Sequence, residues 1–239
     1  MTTHHPRQFP VILMTGKATR LPLPFLCPLI PLSTTGTPGT GKSTTAALLA
    51  SSSSIPLVHL NISDIVKENS FHEGWDEEWN SWTLDEDRLL DHLEDIINPR
   101  DAPATTERAW IVTSHAHPGF DVGFIIDHHS PSMYPERWID LAVVLRTDNE
   151  ILYRRLEDRN YKPNKIQENV SAEIMEVIPA ETRESYEPEI VVELRSDGLI
   201  EHEMDDNVRR IEEWCVNWIK NSGERDQAQA DEDAEESDE

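Results

Sequence analysis

The sequence predicts a three-layer α/β fold, in which one parallel sheet of five strands carries helices on both faces. Short apolar runs with the length of buried strands recur along the chain, and segments with helical spacing of apolar residues lie between them. Strands that alternate with helices in this way are typical of a parallel sheet. The strands are predicted at 11–14, 56–62, 123–129, 140–146 and 189–194.

The helices are predicted from the spacing of apolar residues and from the helix-forming composition of the intervening segments. They lie at 43–53, 64–69, 87–97, 149–159 and 165–186. A last helix carries apolar residues at intervals of three and four, which places them on one face. These residues are Val208, Ile211, Cys215, Trp218 and Ile219. Residues 1–220 are therefore expected to form one domain.

The composition is strongly acidic, with a formal net charge of −25 and a pI of about 4.6. This charge disfavours attachment to nucleic acid or to an anionic membrane, and it favours basic partners. Acidic residues concentrate in the final segment, 221–239, which holds almost no apolar residue. Such a segment buries too little surface to offset its ordering entropy, so we expect a disordered tail.

Cysteine content and the N-terminal sequence bear on the compartment. Cys27 and Cys215 form no disulfide framework, which fits a reducing environment. The N-terminus has no apolar core after a basic start, so it does not predict a signal peptide. The most apolar stretch, 21–32, is too short to span a bilayer and is interrupted by prolines. We expect a soluble intracellular protein.

A glycine-rich loop provides the clearest indication of function. Gly36, Gly41, Lys42 and Ser43 satisfy the pattern G-x-x-x-x-G-K-[ST]. The glycines let backbone N–H groups face phosphate oxygens, and the helix that follows directs its positive end at the anion. Lys42 is expected to bridge the β- and γ-phosphates, and Ser43 to hold Mg²⁺. The loop predicts a nucleotide-binding P-loop protein.

A proline-rich segment at 17–35 separates the first strand from this loop. Prolines cannot donate the hydrogen bonds that a central strand needs, so the segment is not an extension of the strand. Deletion of 17–36 leaves FPVILMTGTPGTGKST, an uninterrupted strand and loop, and this indicates a retained intron translated in frame. The alternative is a real loop beside the site, in which case the first strand is residues 11–14 or the proline-rich segment itself. An irregular segment near 99–122 is a possible second insertion.

The strand at 123–129 ends in acidic and imidazole side chains. Asp127 stands where P-loop folds place the acid that orders Mg²⁺, so Ser43 and Asp127 are the predicted metal residues. His129 points to the same face in an extended chain and is suited to orienting a water or hydroxyl, although a surface histidine is an equal alternative. A zinc site is a further alternative, without a supporting cysteine or acid pattern; its ligands would be His115, His117, His128 and His129.

Five segments carry motifs that P-loop proteins do not share in general. They are TGTPGTGKST, NISDIVKENSFHEGWDEEWNSWTLDEDR, IIDHHSPSMYPERW, VVLRTDNEILYRRLEDRNY and KIQENVSAEIMEV. With the final Trp-bearing helix, they resemble in order the adenylate kinase isoenzyme 6 family of nucleoside monophosphate kinases, through nearly all of 36–220. The segment HSPSM departs from the family, because it lacks the acidic residue found there.

The resemblance implies a P-loop kinase fold with a five-stranded parallel sheet, a monophosphate-binding arm and a short lid. The arm corresponds to 61–84 and the lid to 158–168. In the lid, Arg159 matches the arginine that contacts ATP. Asp127 and His129 match the family's Asp-x-His pair, associated with metal and water positioning. The residues that match the triphosphate loop are Gly39, Gly41, Lys42, Ser43 and Thr44.

Other candidate residues in the arm and beyond it have weaker support. Lys67 and Arg137 are plausible cations for the acceptor phosphate, and ordinary surface charge explains them equally well. The tryptophans of the arm are suited to stacking a base or to packing the arm together. They are Trp75, Trp79 and Trp82.

The resemblance also implies an activity and a setting. The family is credited with broad-specificity monophosphate kinase and ATPase activity, using ATP and Mg²⁺. It acts late in small-subunit (40S) maturation, where it binds ribosomal protein uS11 so that the 18S rRNA precursor is cleaved. A location in nucleus and cytoplasm, and a monomer or weak dimer, are expected. The alternatives are an assembly ATPase with little kinase activity, or nucleotide binding without turnover.

Overall fold

The structure, a computed structural model, describes residues 9–16, 39–76, 81–97, 122–198 and 202–236. Its strands are β1 (Val11–Thr15), β2 (Leu57–Asn61), β3 (His72–Asp76), β4 (Ser81–Leu84), β5 (Gly123–Asp127), β6 (Leu141–Arg146) and β7 (Val191–Arg195). Five of them form one sheet in the order β2-β5-β1-β6-β7, with every pairing parallel. The predicted five-stranded parallel sheet is confirmed.

The helices alternate with these strands, as predicted. They are α1 (Lys42–Ser52), α2 (Ile62–Asn69), α3 (Glu86–Ile97), α4 (Asn149–Asp158), α5 (Pro163–Ile174), α6 (Val177–Ser185) and α7 (Glu203–Glu236). The helical segment at 165–186 is divided between α5 and α6, because Glu176 adopts a positive φ of 51° between them. No helix in the described part of the chain combines the length and apolar character needed to cross a membrane.

The central strand β1 has all five residues buried, which explains why its sequence, VILMT, is a continuous apolar run. Its side chains alternate between two hydrophobic cores. Val11 and Leu13 belong to the core that also contains residues of α2 and α3. Ile12 and Met14 belong to the core that contains residues of α1 and α7. Helices therefore cover both faces of the sheet.

The predicted monophosphate-binding arm consists of α2 and an antiparallel hairpin of β3 and β4. In the hairpin, Trp75 and Trp82 occupy paired positions, whereas Trp79 lies outside the described residues. The predicted lid is short: α4 ends at Asp158 and α5 begins at Pro163.

The proline-rich segment 17–35 and most of 99–122 lie outside the described residues, and so do Gly36, His115 and His117. The first strand is nevertheless supplied by residues 11–15, which is one of the two arrangements weighed from sequence.

The C-terminal segment differs from the prediction. Residues 221–236 continue the helix α7, where the sequence predicted a disordered tail from residue 221. Alanine, glutamine and glutamate dominate this part of the chain, and their high helix propensity accounts for the difference.

Candidate nucleotide-binding site

The phosphate loop turns at two glycines whose backbone conformations strongly favour glycine. Gly39 has a φ of 131° and Gly41 a φ of 84°, both in the region that favours glycine. A Cβ on Gly39 would lie 2.6 Å from Cδ1 of Leu152, and one on Gly41 would lie 3.0 Å from Oγ of Ser196. The loop is therefore packed closely against α4 and against the segment that follows β7.

The loop also meets the end of β1 directly. A Cβ on Gly16 would lie 2.9 Å from Oγ1 of Thr40 and 3.2 Å from Cδ of Lys42. Thr40 is fully buried, and its hydroxyl has no hydrogen-bond partner among the described residues. Gly16 therefore lies against the loop, where the uninterrupted motif would place its first glycine, although 17–38 separates the two in sequence.

Lys42 is the first residue of α1 and carries its charge in a buried position. Burial lowers the pKa of Lys42 to about 8, while the charges of Asp127 and Glu173 act in the opposite direction. A bound phosphate anion would raise this pKa again, because an opposite charge favours the charged form. Since no acidic residue lies in the first turn of α1, its N-terminus is available to an anion.

Asp127 ends β5, where it pairs in register with Asn61 at the end of β2. The carboxyl ends of parallel strands are the usual ligand-binding edge of such sheets. Burial alone would raise the pKa of the Asp127 carboxyl, but hydrogen bonds from His59 and Ser43 and the charge of Lys42 hold it below its ordinary value. The carboxylate is therefore ionised and adjacent to the Ser43 hydroxyl.

Two histidines follow Asp127 and pack edge to face, with their ring centroids 4.4 Å apart. Desolvation, together with the charge of Lys42, lowers the pKa of His129 to about 4. The His129 imidazole is therefore neutral at pH 7 and has a nitrogen able to accept a hydrogen bond. His128 is buried, and its pKa is also lowered, chiefly by burial.

One cavity, of about 370 Å³, unites these groups with the lid and the arm. Eight residues predicted for the nucleotide site from sequence line it, whereas the predicted loop residue Gly36 lies outside the described residues. The eight are Gly39, Gly41, Lys42, Ser43, Thr44, Asp127, His129 and Arg159. The other described residues of its lining are Asn61, Ser63, Asp64, Lys67, His128 and Tyr161. The cavity therefore extends from the phosphate loop to the first turns of α2, which begins the arm.

The two predicted acceptor cations differ in position. Lys67 lines the cavity, and its Nζ lies 3.3 Å from Oδ1 of Asp64. Arg137 is absent from the cavity lining; it donates to Oε1 of Glu94 at 3.0 Å and its guanidinium lies 6.0 Å from the Trp138 ring. The structure thus keeps Lys67 as a candidate and places Arg137 outside the site.

The residues that line the cavity fit a nucleoside triphosphate with bound Mg²⁺. Substitution of either loop glycine would fill the space beside the backbone, and the buried Thr40 hydroxyl lacks a partner. Ser43 and Asp127 supply the hard oxygen ligands that Mg²⁺ prefers. The zinc alternative stays untested, because two of its predicted ligands, His115 and His117, lie outside the described residues; within the described part of the chain no three His, Cys, Asp or Glu side chains are grouped to hold a metal.

Arg155, which sequence reasoning missed, links the loop to the rest of the fold. Its Nη1 donates to the carbonyl oxygens of Gly39 at 2.5 Å and of Ser196 at 2.8 Å. Its Nη2 donates to the carbonyl oxygen of Asp197 at 2.7 Å. The sequence offered one signal: Arg155 lies close to the buried face of α4 that Leu152 and Leu156 form. A partly buried arginine needs hydrogen-bond partners, and this requirement could have marked it.

His59 was also missed. Its Nε2 lies 3.2 Å from Oδ2 of Asp127. The signal was a histidine between the apolar residues Val58 and Leu60 of the strand LVHLN.

A phosphate loop between β1 and α1, with an acid at the end of the neighbouring strand β5, defines a P-loop nucleotide-binding protein. A family model described as an AAA domain matches residues 33–176. The adenylate kinase isoenzyme 6 homolog of Dictyostelium discoideum is 42% identical over 186 residues, covering 78% of this chain and 91% of the relative. The homolog of Schizosaccharomyces pombe is 43% identical over 186 residues, with the same coverage of 78% and 91%.

The chain therefore belongs to the adenylate kinase isoenzyme 6 family, and it is a kinase-type enzyme. The resemblance noted from sequence motifs is confirmed. Among solved structures, shikimate kinase from Acinetobacter baumannii in complex with shikimate aligns with a TM-score of 0.44 at 14% identity, over 87% of this chain and 94% of its own.

Proposed function

We propose that the protein transfers the γ-phosphate of ATP to AMP or a related nucleoside monophosphate, with Mg²⁺, and that it also hydrolyses ATP. One observation carries the proposal. The cavity is lined both by the phosphate loop at Gly39–Thr44 and by the first residues of the arm, so it offers adjacent binding sites for the donor and acceptor phosphates. Phosphoryl transfer depends on such positioning and on charge stabilisation more than on covalent chemistry by the protein.

The binding site for the donor, ATP, consists of groups that the fold holds in place. The backbone amides of the loop and the N-terminus of α1 bind phosphate oxygens, and Lys42 neutralises charge between the β- and γ-phosphates. Arg159 lines the same cavity from the lid and adds a second cation. Bound Mg²⁺, held by Ser43 and Asp127, would neutralise further charge on the phosphates.

The acceptor side is formed by Asn61, Ser63, Asp64 and Lys67 at the start of α2. The Lys67 ammonium is suited to the phosphate of the monophosphate, and its pairing with Asp64 is exposed enough to exchange for a ligand. An ionised acceptor phosphate needs no general base. His129 therefore matters chiefly for hydrolysis, where its neutral imidazole accepts a hydrogen bond from a water and so orients it.

The short lid supports slow ATP hydrolysis beside transfer. Only residues 159–162 connect α4 to α5, and Arg159 and Lys162 are exposed. A large lid excludes water and encloses the transferring group with cations. With so short a lid, water reaches the γ-phosphate more readily, and hydrolysis competes with transfer.

A role in ribosome assembly is part of the proposal. The net charge of −25 favours encounter with a basic partner, such as ribosomal protein uS11 in a pre-40S particle. Nucleotide turnover at this site would then accompany late 40S maturation and 18S rRNA processing, in nucleus and cytoplasm. The same charge favours the second candidate function, an assembly ATPase with little kinase activity.

A turnover assay tests both candidates. ADP formation from ATP is measured with Mg²⁺ alone, with a panel of nucleoside monophosphates, and with purified uS11. A kinase shows stimulation by a monophosphate and formation of the corresponding diphosphate. An assembly ATPase shows stimulation by uS11 alone. Absence of ADP under all three conditions contradicts both candidates.

A further inference from the structure

His59 lies on β2, next to the strand that carries Asp127. Its side chain is 19% exposed, and its Nε2 lies 3.2 Å from Oδ2 of Asp127, whose side chain is 5% exposed. His59 pairs in register with Ile125, two residues before Asp127 on β5. The contact therefore runs diagonally across two adjacent strands, on the face that α1 covers.

The chemistry of the pair determines which atom donates. The Asp127 carboxyl group must be ionised to hold Mg²⁺, because metal ligands bind in their deprotonated form. An ionised carboxylate only accepts hydrogen bonds, so Nε2 of His59 must carry the proton. The rotation of an aspartate carboxyl about its last torsion is broad, and partners such as this donor determine its plane.

We propose that His59 is a positioning residue for Asp127: its Nε2–H holds the carboxylate in the orientation in which Asp127, with Ser43, holds Mg²⁺ for the nucleotide. The inference rests on the proposed function, since it concerns the metal that this function uses. It adds a residue that the matched family motifs do not include. Outer partners of metal ligands orient those ligands, and their loss typically weakens metal binding or activity by about 10–100-fold.

A purely structural role explains the contact less well. β2 and β5 already pair through their backbones over the whole of Leu57–Asn61, so a side-chain hydrogen bond is not needed to fix their register. On the same face of the sheet, the neighbouring residues Leu57 and Ile125 are apolar and belong to the core that contains residues of α1. A hydrophobic residue at position 59 would satisfy the packing, whereas only a donor satisfies the carboxylate.

Two substitutions separate these roles. His59→Phe keeps a planar ring and removes the donor, whereas His59→Gln keeps an N–H group close to the place of Nε2. The matched control is His202→Phe, because His202 forms a second histidine–aspartate contact at 3.2 Å, with Asp205, where both side chains are at least 65% exposed. Thermal unfolding of each variant is measured first, to establish that it folds.

The readout is the binding of a non-hydrolysable ATP analogue, measured by calorimetry in EDTA and across a Mg²⁺ titration. We expect His59→Phe to raise the Mg²⁺ midpoint by about 10-fold or more, and to change the affinity in EDTA by less than about threefold. His59→Gln should recover most of the loss, and His202→Phe should match the wild type. An unchanged midpoint in His59→Phe, or equal losses in the Phe and Gln variants, overturns the inference.

A measurement on the wild-type protein covers the case in which the variants do not fold. Long-range ¹H–¹⁵N correlation spectra of the histidine rings report which nitrogen carries the proton. The Nε2–H form of His59 is expected, and the Nδ1–H form overturns the inference. Failure of the proposed function is distinguishable, because the wild-type protein itself would then show no Mg²⁺-dependent binding of the analogue.

Discussion

Replacement of Arg155 by methionine should destabilise the protein far more than the same change at its neighbour. Arg155→Met keeps the apolar stem and removes the guanidinium, which donates to three backbone carbonyls in two separate segments. Arg154→Met is the matched control. Within the described part of the chain its guanidinium pairs with Glu150 alone, one turn away, and both side chains are exposed.

The magnitudes follow from these contacts. A hydrogen bond contributes about 1 kcal/mol net and somewhat more when one partner is charged, so three such bonds at a partly buried site contribute about 3 kcal/mol. An exposed pair at this spacing on a helix contributes about 0.3–0.5 kcal/mol. With a urea slope of about 2 kcal/mol per molar, the midpoint should fall by about 1.5 M for Arg155→Met and by roughly 0.2 M for Arg154→Met.

Urea unfolding at 25 °C, followed by circular dichroism, measures both midpoints. Because the Gly39 carbonyl is one of the three acceptors, affinity for an ATP analogue should also fall in Arg155→Met and not in Arg154→Met. Equal midpoints for the two variants, within about 0.3 M, would refute the assignment of Arg155 as the link between the phosphate loop and the segment after β7.

Three further predictions concern single side chains. Lys42→Ala should lower turnover by about 100-fold or more, as expected when a fixed charge on the transferring group is lost; near-native turnover would place the chemistry elsewhere. His129→Ala should lower the hydrolysis rate more than the affinity for ATP, because orientation of water acts in the transition state; equal losses in the two quantities contradict that role. Burial raises the pKa of Cys215 to about 12, so in a Cys27→Ser variant Ellman's reagent should react at pH 8 only after unfolding, and rapid reaction of the folded protein would show that this thiol is accessible.

Local pattern was sufficient to predict the strands and the phosphate loop. β1 and β5 contain the apolar runs VILM and FII because these residues are buried, and such runs are visible in the sequence. The loop was visible because left-handed backbone at Gly41 admits little except glycine. The division between α5 and α6 was not marked in this way, since the residue with positive φ there is Glu176.

Contacts between segments that are distant in the chain could not be predicted from the sequence. The partners of Arg155 lie in the phosphate loop and after β7, and no local pattern indicates that these segments meet. His59 meets Asp127 only because β2 and β5 are neighbours in the sheet, although 68 positions separate them in the chain. Arg137 was predicted from its charge to bind the acceptor phosphate. In the fold it lies outside the cavity and donates a hydrogen bond to Glu94 instead.

The contact between Gly16 and the phosphate loop has a consequence for chain length. The described residues that flank 17–38 lie close together, because a Cβ on Gly16 would lie 2.9 Å from Oγ1 of Thr40. The entropy lost on closing such a segment rises by only about 0.6 kcal/mol for each doubling of its length. A chain that joins Gly16 directly to Thr37 therefore needs no change in strand order or core packing, and a long and a short form of the protein can share one sheet and one phosphate site.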